Sequence, residues 1–521
     1  MRTLRLISVI FNVALYGCGH PTELYQDLRA AQGAQAPDSD ALALLGPAKA
    51  VVSLSVGKLE GRKDWEVYSF KGVPYAQPPV GPLRWEHPRP VQPWAGTKRA
   101  LEYGADCVQL ADGTPVGKED CLFLNVWTTS LSATAKRPVM LFVHGGSYIQ
   151  GSGTSFGPLD IYIGDELSKR GVVVVTINYR LGALGFLPHP GFASVNHGLM
   201  DQVQALTWVQ EHIVKFGGDP TNVTLFGESA GAMSTCSLLA TPAARGKFHR
   251  AIIQSGGCDV DTLASQHPIA RADAANWGCE EADVAAEAQC LRQLSAEHLI
   301  KGQRRPEYTV NFSALPYRPV TGDDTLPLAP LDAISRGEHN AVPTIIGSNK
   351  NEVPGLIYKD FDNQAAWAAQ IRAAFPGDAA FQMVSGYYSK ARYGSYADAL
   401  GALHTDISFA CSDRTVARTL VAAQEQPVFR YMFDALGAFH GAELFYVFQR
   451  LGLLGGALQD NMGQYWTSFA KGAAPKTTKK SPAWTPYDLD TERLQVLAST
   501  ISGIERYKHE QCDVLDAATA R

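Results

Sequence analysis

The chain has 521 residues, 45% of them hydrophobic and 19% charged, and its 46 basic and 51 acidic side chains leave a formal charge of −5. That balance gives no electrostatic footprint for nucleic acid, and no apolar run approaches the ~18 residues of a membrane-spanning helix. A chain this long buries a sizeable core without help from disulfides or metals, and division by a typical ~150 residues suggests about three domains.

Arg2 and Arg5 precede an apolar stretch from Leu6 to Tyr16, broken by Ser8 and Asn12. A positive region followed by a short apolar one is the layout of an export signal. Leu15-Tyr16-Gly17-Cys18 has the form of a bacterial lipobox, in which Cys18 would carry lipid and tether the mature protein to a membrane. Tyr16 departs from the small or aliphatic residue usual there, and the competing reading is an ordinary cleaved signal with an incidental cysteine. Residues 19–48 are rich in Ala, Gln, Gly and Pro and read as a flexible tether. Beyond Val51 no second composition break or internal repeat occurs, and the Lys476 to Lys480 patch reads as a solvated loop. The expected organisation is an export signal over 1–17, a tether over 18–48 and one domain over 49–521. Such a protein would be periplasmic, anchored to the outer membrane or secreted.

Within that domain, Val139 to Val143 is a candidate buried strand, as is Val172 to Ile177. Leu199, Val203, Leu206, Val209 and Ile213 recur at helical spacing, which predicts an amphipathic helix. Val223 to Phe226 reads as a strand that leads into a helix over Ala230 to Ala240. Further strands are expected at Ala251 to Gln254, Pro343 to Ile346 and Val428 to Phe433. Strands alternating with helices predict an α/β fold with a large, mostly parallel sheet covered on both faces. Reactive groups in such folds lie beyond the carboxyl ends of the strands.

Gly227-Glu228-Ser229-Ala230-Gly231 sits at the junction of a predicted strand and helix, the context of a nucleophile elbow. Ser229 would project above the sheet, with the N-terminus of the next helix aimed at developing negative charge. A lone Gly-x-Ser-x-Gly among 48 glycines is a weak signal. An independent one strengthens it: the strand ending at Val143 runs into His144-Gly145-Gly146-Ser147. A strand ending in His-Gly-Gly presents backbone N–H groups to a tetrahedral oxyanion. The candidate donors are the amides of Gly146, Ser147 and Ala230, with His144 bracing the loop.

The general base must come from 13 histidines. In this architecture the order is nucleophile, acid, histidine. Glu352 lies just past the predicted strand that ends at Ile346, and His404, His440 and His509 follow it. His404 falls in a helical stretch and His509 in a charged C-terminal segment. His440 follows a strand in a loop flanked by Gly437 and Gly441, the position that favours it. Asp406 and Asp434 read as capping or surface carboxylates.

These motifs together resemble the type B carboxylesterase family, the cholinesterase-like branch of the α/β-hydrolases. The matching segments include Phe70-Lys-Gly-Val-Pro-Tyr-Ala-Gln-Pro-Pro-Val-Gly81, Glu119-Asp-Cys-Leu-Phe-Leu-Asn-Val126, His144-Gly-Gly146 and Asn222-Val-Thr-Leu-Phe-Gly-Glu-Ser-Ala-Gly231. Gly198-Leu-Met-Asp-Gln202, Phe216-Gly-Gly-Asp-Pro220, Asn349-Lys-Asn-Glu352 and His440-Gly441 also fit, so the likeness spans roughly residues 50 to 512. The resemblance implies a Ser229–His440–Glu352 triad and an oxyanion hole from Gly146, Ser147 and Ala230. Many relatives carry glycine where Ser147 stands, but only its N–H is needed. The resemblance also implies disulfides Cys107–Cys121 and Cys279–Cys290, with Cys411 and Cys512 near a third family pair. It leaves the bonding of Cys236 and Cys258 open.

The implied activity is carboxylic-ester hydrolysis on a small-molecule substrate, with neither metal nor organic cofactor. A non-catalytic adhesion or binding module of the same fold is the alternative from another class, disfavoured by the retained Ser229, Glu352 and His440. An amidase or thioesterase would use the same machinery. The segment between Cys107 and Cys121 contains no tryptophan, so it lacks the ring with which cholinesterases hold a quaternary ammonium. Oligomeric state and natural substrate have no signal in the sequence.

Overall fold

Apolar residues placed on both faces of a strand can be satisfied only at the centre of a covered sheet. Val139, Leu141 and Val143 pack with one core cluster, whereas Met140 and Phe142 pack with another on the opposite face. The computed structural model describes residues 48–157, 159–306, 315–472, 474–476 and 483–519. The expected export signal, Cys18 and most of the tether lie outside them, as does most of the Lys476 to Lys480 patch.

The strands run in chain order β1 (Ala48–Leu54), β2 (Gly57–Asp64), β3 (Val67–Pro74), β4 (Thr97–Arg99), β5 (Gln109–Ala111), β6 (Thr114–Val116), β7 (Phe123–Thr128), β8 (Arg137–Val143) and β9 (Val173–Ile177). They continue with β10 (Gly218–Glu228), β11 (Arg250–Gln254), β12 (Asp261–Thr262), β13 (Val320–Thr321), β14 (Thr344–Asn349), β15 (Val428–Asp434), β16 (Leu494–Ala498) and β17 (Ser502–Ile504). A 13-stranded sheet has the order β1-β2-β3-β7-β9-β8-β10-β11-β14-β15-β16-β17, with β4 beside β2. From β9 to β16 every neighbouring pair is parallel. The margins differ: β1, β2, β3, β7 and β9 pair antiparallel, as do β16 and β17. The sequence reading found the parallel centre and missed these margins, whose partly exposed, alternating residues lack a continuous apolar run.

Helices cover both faces. His197–His212 turns Leu199, Val203, Leu206 and Val209 onto the core, and Ala230–Ala240 is buried along its whole length. On the other face, Met462, Trp466 and Phe469 of the helix Gly456–Gly472 pack beneath the sheet with Phe226, Phe429 and Phe433. Four disulfides pair Cys107 with Cys121, Cys236 with Cys258, Cys279 with Cys290, and Cys411 with Cys512. The second ties the helix that begins after Ser229 to the segment following β11.

The helices Tyr396–Thr405 and Cys411–Ala423 are joined by a π-helical turn, Asp406–Ala410. Asp406 is therefore not the capping or surface group expected. It is buried, accepts a 2.9 Å hydrogen bond from Tyr388 and pairs with Lys508. Asp434, by contrast, is partly exposed and pairs with Lys350.

Candidate active site

Ser229, His144, Glu352 and His440 all follow the carboxyl ends of sheet strands: β10, β8, β14 and β15 respectively. The strand-to-helix junction forces Ser229 into φ 57°, ψ −123°, a conformation a non-glycine residue adopts at a cost of roughly 1–3 kcal/mol. Its backbone is held on both sides. The Ser229 N–H donates to Gln254 O, and its carbonyl accepts from Ala232 and Met233. The turn also needs a residue without a side chain, because a Cβ on Gly231 would lie 2.0 Å from Val143 O.

The loop after β14 folds back so that the Asn349 N–H donates to Glu352 Oε1, leaving Oε2 for His440 Nδ1 at 2.7 Å. The His440 N–H donates to Glu352 O at 3.1 Å, which locks the two loops together. His440 Nε2 points back toward the elbow, 3.3 Å from Oε1 of Glu228, the residue before Ser229. The Phe409 ring packs 5.0 Å from the imidazole. Burial alone would lower the His440 pKa. Glu228 and the Glu352 hydrogen bond outweigh it and raise the value to about 9. Glu228 is itself pushed up to about 8 by burial, against the pull of His440.

A further acid lies behind this group. Glu443 accepts hydrogen bonds from Gln254 and Asn349, and burial raises its pKa to about 7. Sequence reasoning missed Glu228 and Glu443 as site residues, although Glu228 stands inside the elbow motif and Glu443 follows His440 closely. Their only signal was an acid embedded in an otherwise apolar context.

The loop after β8 turns through positive φ at three consecutive residues, Gly146 (108°), Ser147 (54°) and Tyr148 (60°). Among the described residues, neither the Gly146 nor the Ser147 N–H has a hydrogen-bond acceptor. Ala230 is the first residue of its helix, so its N–H has no intrahelical acceptor. His144 is buried, stacks on Tyr179 at 4.5 Å and places Nδ1 2.7 Å from Gly145 O. Burial lowers its pKa to about 4, so it braces the loop as a neutral ring.

The competing histidines are occupied elsewhere. His404 is buried with Nδ1 2.7 Å from the Tyr358 hydroxyl, and His509 lies in an ion cluster with Arg414, Glu492 and Asp513.

The profile of the carboxylesterase family matches residues 48–515. The chain is 33% identical to the para-nitrobenzyl esterase of Bacillus subtilis (strain 168) over 486 residues, covering 87% of this chain and 95% of that protein. It is 34% identical over 475 residues to the fumonisin B1 esterase of Sphingopyxis macrogoltabida, covering 82% of each. A solved structure titled PNB esterase superposes with a TM-score of 0.78 at 32% identity, covering 89% of this chain and 99% of that one. With the parallel sheet, the strand-end site and these likenesses in place, the chain belongs to the carboxylesterase family of carboxylic-ester hydrolases.

Proposed function

We propose that this protein is a serine esterase that works through an acyl-enzyme, with Ser229 as nucleophile, His440 as general base and Glu352 as the group that orients the imidazole. The observation that carries this reading is the 2.7 Å contact between His440 Nδ1 and Glu352 Oε2, made where the parallel strands present Ser229. With Nδ1–H held by the carboxylate, Nε2 is the free base. It takes the hydroxyl proton as Ser229 Oγ bonds to the ester carbonyl carbon. The carbonyl π electrons move onto oxygen, which rests on the amides of Gly146, Ser147 and Ala230. Collapse of the intermediate expels the alcohol, which takes the proton from His440, and leaves the acyl group on Ser229. Water then attacks the acyl carbon with His440 as base, and the acid departs.

The substrate is a small-molecule carboxylic ester, in keeping with relatives named for esterase activity. The described residues between 48 and 519 serve as one catalytic unit rather than several, since strands from both ends of that range share one sheet. Four disulfides favour an oxidising compartment, and hence export.

The test is hydrolysis of p-nitrophenyl acetate and butyrate by the purified chain, with stoichiometric labelling by an organophosphonate. Turnover with the label on Ser229, both abolished by Ser229→Ala, is the expected result. No turnover, or turnover unimpaired in Ser229→Ala, overturns the reading. Faster cleavage of a matched thioester or anilide would reassign the activity to a thioesterase or amidase.

A further inference from the structure

The loop from Gly145 to Gly151 closes on itself. A Cβ on Gly151 would lie 2.6 Å from Gly145 O and from His144 Nδ1, so the two ends of the loop touch. Inside the loop, Gly146 O accepts from the Ile149 and Gln150 N–H groups at 3.0 and 3.1 Å, and its far end is gripped from outside. Gln109, on β5 of the hairpin within the Cys107–Cys121 disulfide, accepts from the Gly151 N–H through Oε1 at 2.8 Å. Its Nε2 donates to Gly151 O at 2.9 Å and to Cys107 O at 3.0 Å. One primary amide thus spends both N–H bonds and a lone pair, with 9% of the residue exposed. β6 pairs with β5 in register, Gln109 opposite Val116, and the disulfide closes the base of the hairpin.

We propose that Gln109 is a positioning residue for the oxyanion hole: its amide, anchored on the Cys107–Cys121 hairpin, holds Gly151 and thereby keeps the Gly146 and Ser147 N–H groups aimed at the transition-state oxygen. The proposal rests on the serine-esterase reading above. It follows from the loop's own geometry. Consecutive positive-φ residues persist only where their surroundings over-determine them, and the two bonds onto Gly146 O leave the Gly151 end of the loop to be held by Gln109. Amides that meet charge only in the transition state should affect turnover rather than substrate binding.

The test compares Gln109→Leu, which removes every hydrogen bond, with Gln109→Glu, which keeps the acceptor for Gly151 N–H and loses both donations. Rates are measured on p-nitrophenyl butyrate and divided by the sites titrated with an organophosphonate at completion, so that unfolded protein is not counted. In Gln109→Leu, kcat per titrated site should fall about 10–100-fold with KM within about two-fold. The inhibition constant of a trifluoromethyl ketone, which forms the tetrahedral adduct, should rise in proportion. Gln109→Glu should fall between Gln109→Leu and wild type, and carries the test if the leucine variant does not fold. An unchanged kcat per titrated site, or a loss confined to KM, overturns the proposal. A wild-type chain that neither turns over the ester nor accepts label on Ser229 refutes the underlying esterase reading instead.

Discussion

The proposed nucleophile elbow and the proposed oxyanion loop hold equally unusual backbone conformations by different means. Ser229 sits at φ 57° between a strand and a helix that immediately adjoin it, and its backbone partners are the neighbouring strand β11 and its own helix. Ser147 and Tyr148, at φ 54° and 60°, belong to no helix or strand; the Ile149 and Gln150 N–H groups close the turn on Gly146 O, but the partners of Tyr148 itself lie far away in the chain. The Gly182 N–H donates to Tyr148 O at 2.6 Å, the Ser234 hydroxyl donates to the Tyr148 hydroxyl oxygen at 3.2 Å, and Gln109 grips the loop's end. The elbow is therefore set by the strand-to-helix junction and the adjoining strand, whereas the loop after β8 adds contacts from far parts of the chain to its own turn. Damage to the first should strike chemistry or folding outright, and damage to the second should degrade turnover by degrees.

The sharpest way to separate their contributions is to remove the nucleophile. Ser229→Ala should lose roughly 10⁶-fold in kcat while the loop stays intact, and what remains above the uncatalysed rate measures what the loop and binding supply. Steady-state kinetics beside an unchanged circular dichroism spectrum would check it. Glu352→Gln comes next, at about 10⁴-fold in kcat, because an amide in place of the carboxylate no longer fixes the imidazole tautomer. A kcat within about ten-fold of wild type, far short of that loss, would mean that His440 takes its orientation from elsewhere.

Gly231→Ala attacks the elbow's packing instead. A Cβ 2.0 Å from Val143 O cannot be accommodated without moving β8 or the helix Ala230–Ala240. The expected cost is about 1–3 kcal/mol of stability, read from denaturant unfolding, together with lost activity. Tyr148→Phe is the counterpart in the loop. It deletes only the hydroxyl that accepts from Ser234, and should cost about 1 kcal/mol with a few-fold drop in kcat. If the phenylalanine variant proved the more damaging of the two, the local-versus-tertiary contrast would be wrong.

Glu228→Gln probes the charge that the elbow presents to His440. Burial lowers the pKa of His440, and Glu228 is first among the groups that raise it again, to about 9. The base must be neutral to act, so activity in the wild type should climb as pH rises through that range. Removing the acid removes a raising influence, and the acid limb of the kcat/KM profile should move down by about one pH unit. An unmoved limb would show that Glu352 and Glu443 set the titration by themselves.

Much of the candidate site is legible in the sequence alone. The strand-to-helix junction around Ser229 and the strand running into His144-Gly-Gly declare themselves because both are local and contiguous. The helix Ala230–Ala240 has the bounds that the sequence suggested. Gln109, Glu228, Glu443 and the Cys236–Cys258 bridge were not legible, for a common reason. A glutamine in a short hairpin or a glutamate three residues after His440 looks the same whether it faces solvent or is buried. The burial of Asp406 escaped notice similarly, because its partners come from distant segments, Tyr388 just after the helix Asp378–Tyr387 and Lys508 just before the helix His509–Thr519.

By itself, the amino-acid sequence determined the alternation of buried strands and helices, the elbow, the oxyanion turn and the order of serine, acid and histidine. These features are written in neighbouring residues, whose sterics and periodicity act over a few positions. Only the tertiary structure decided the contact between Glu352 and the His440 that the sequence favoured, which acids crowd it, and what keeps the loop after β8 in its strained shape. Those outcomes depend on segments far apart in the chain being brought within hydrogen-bond distance, and the packing of the sheet and its helices sets that distance.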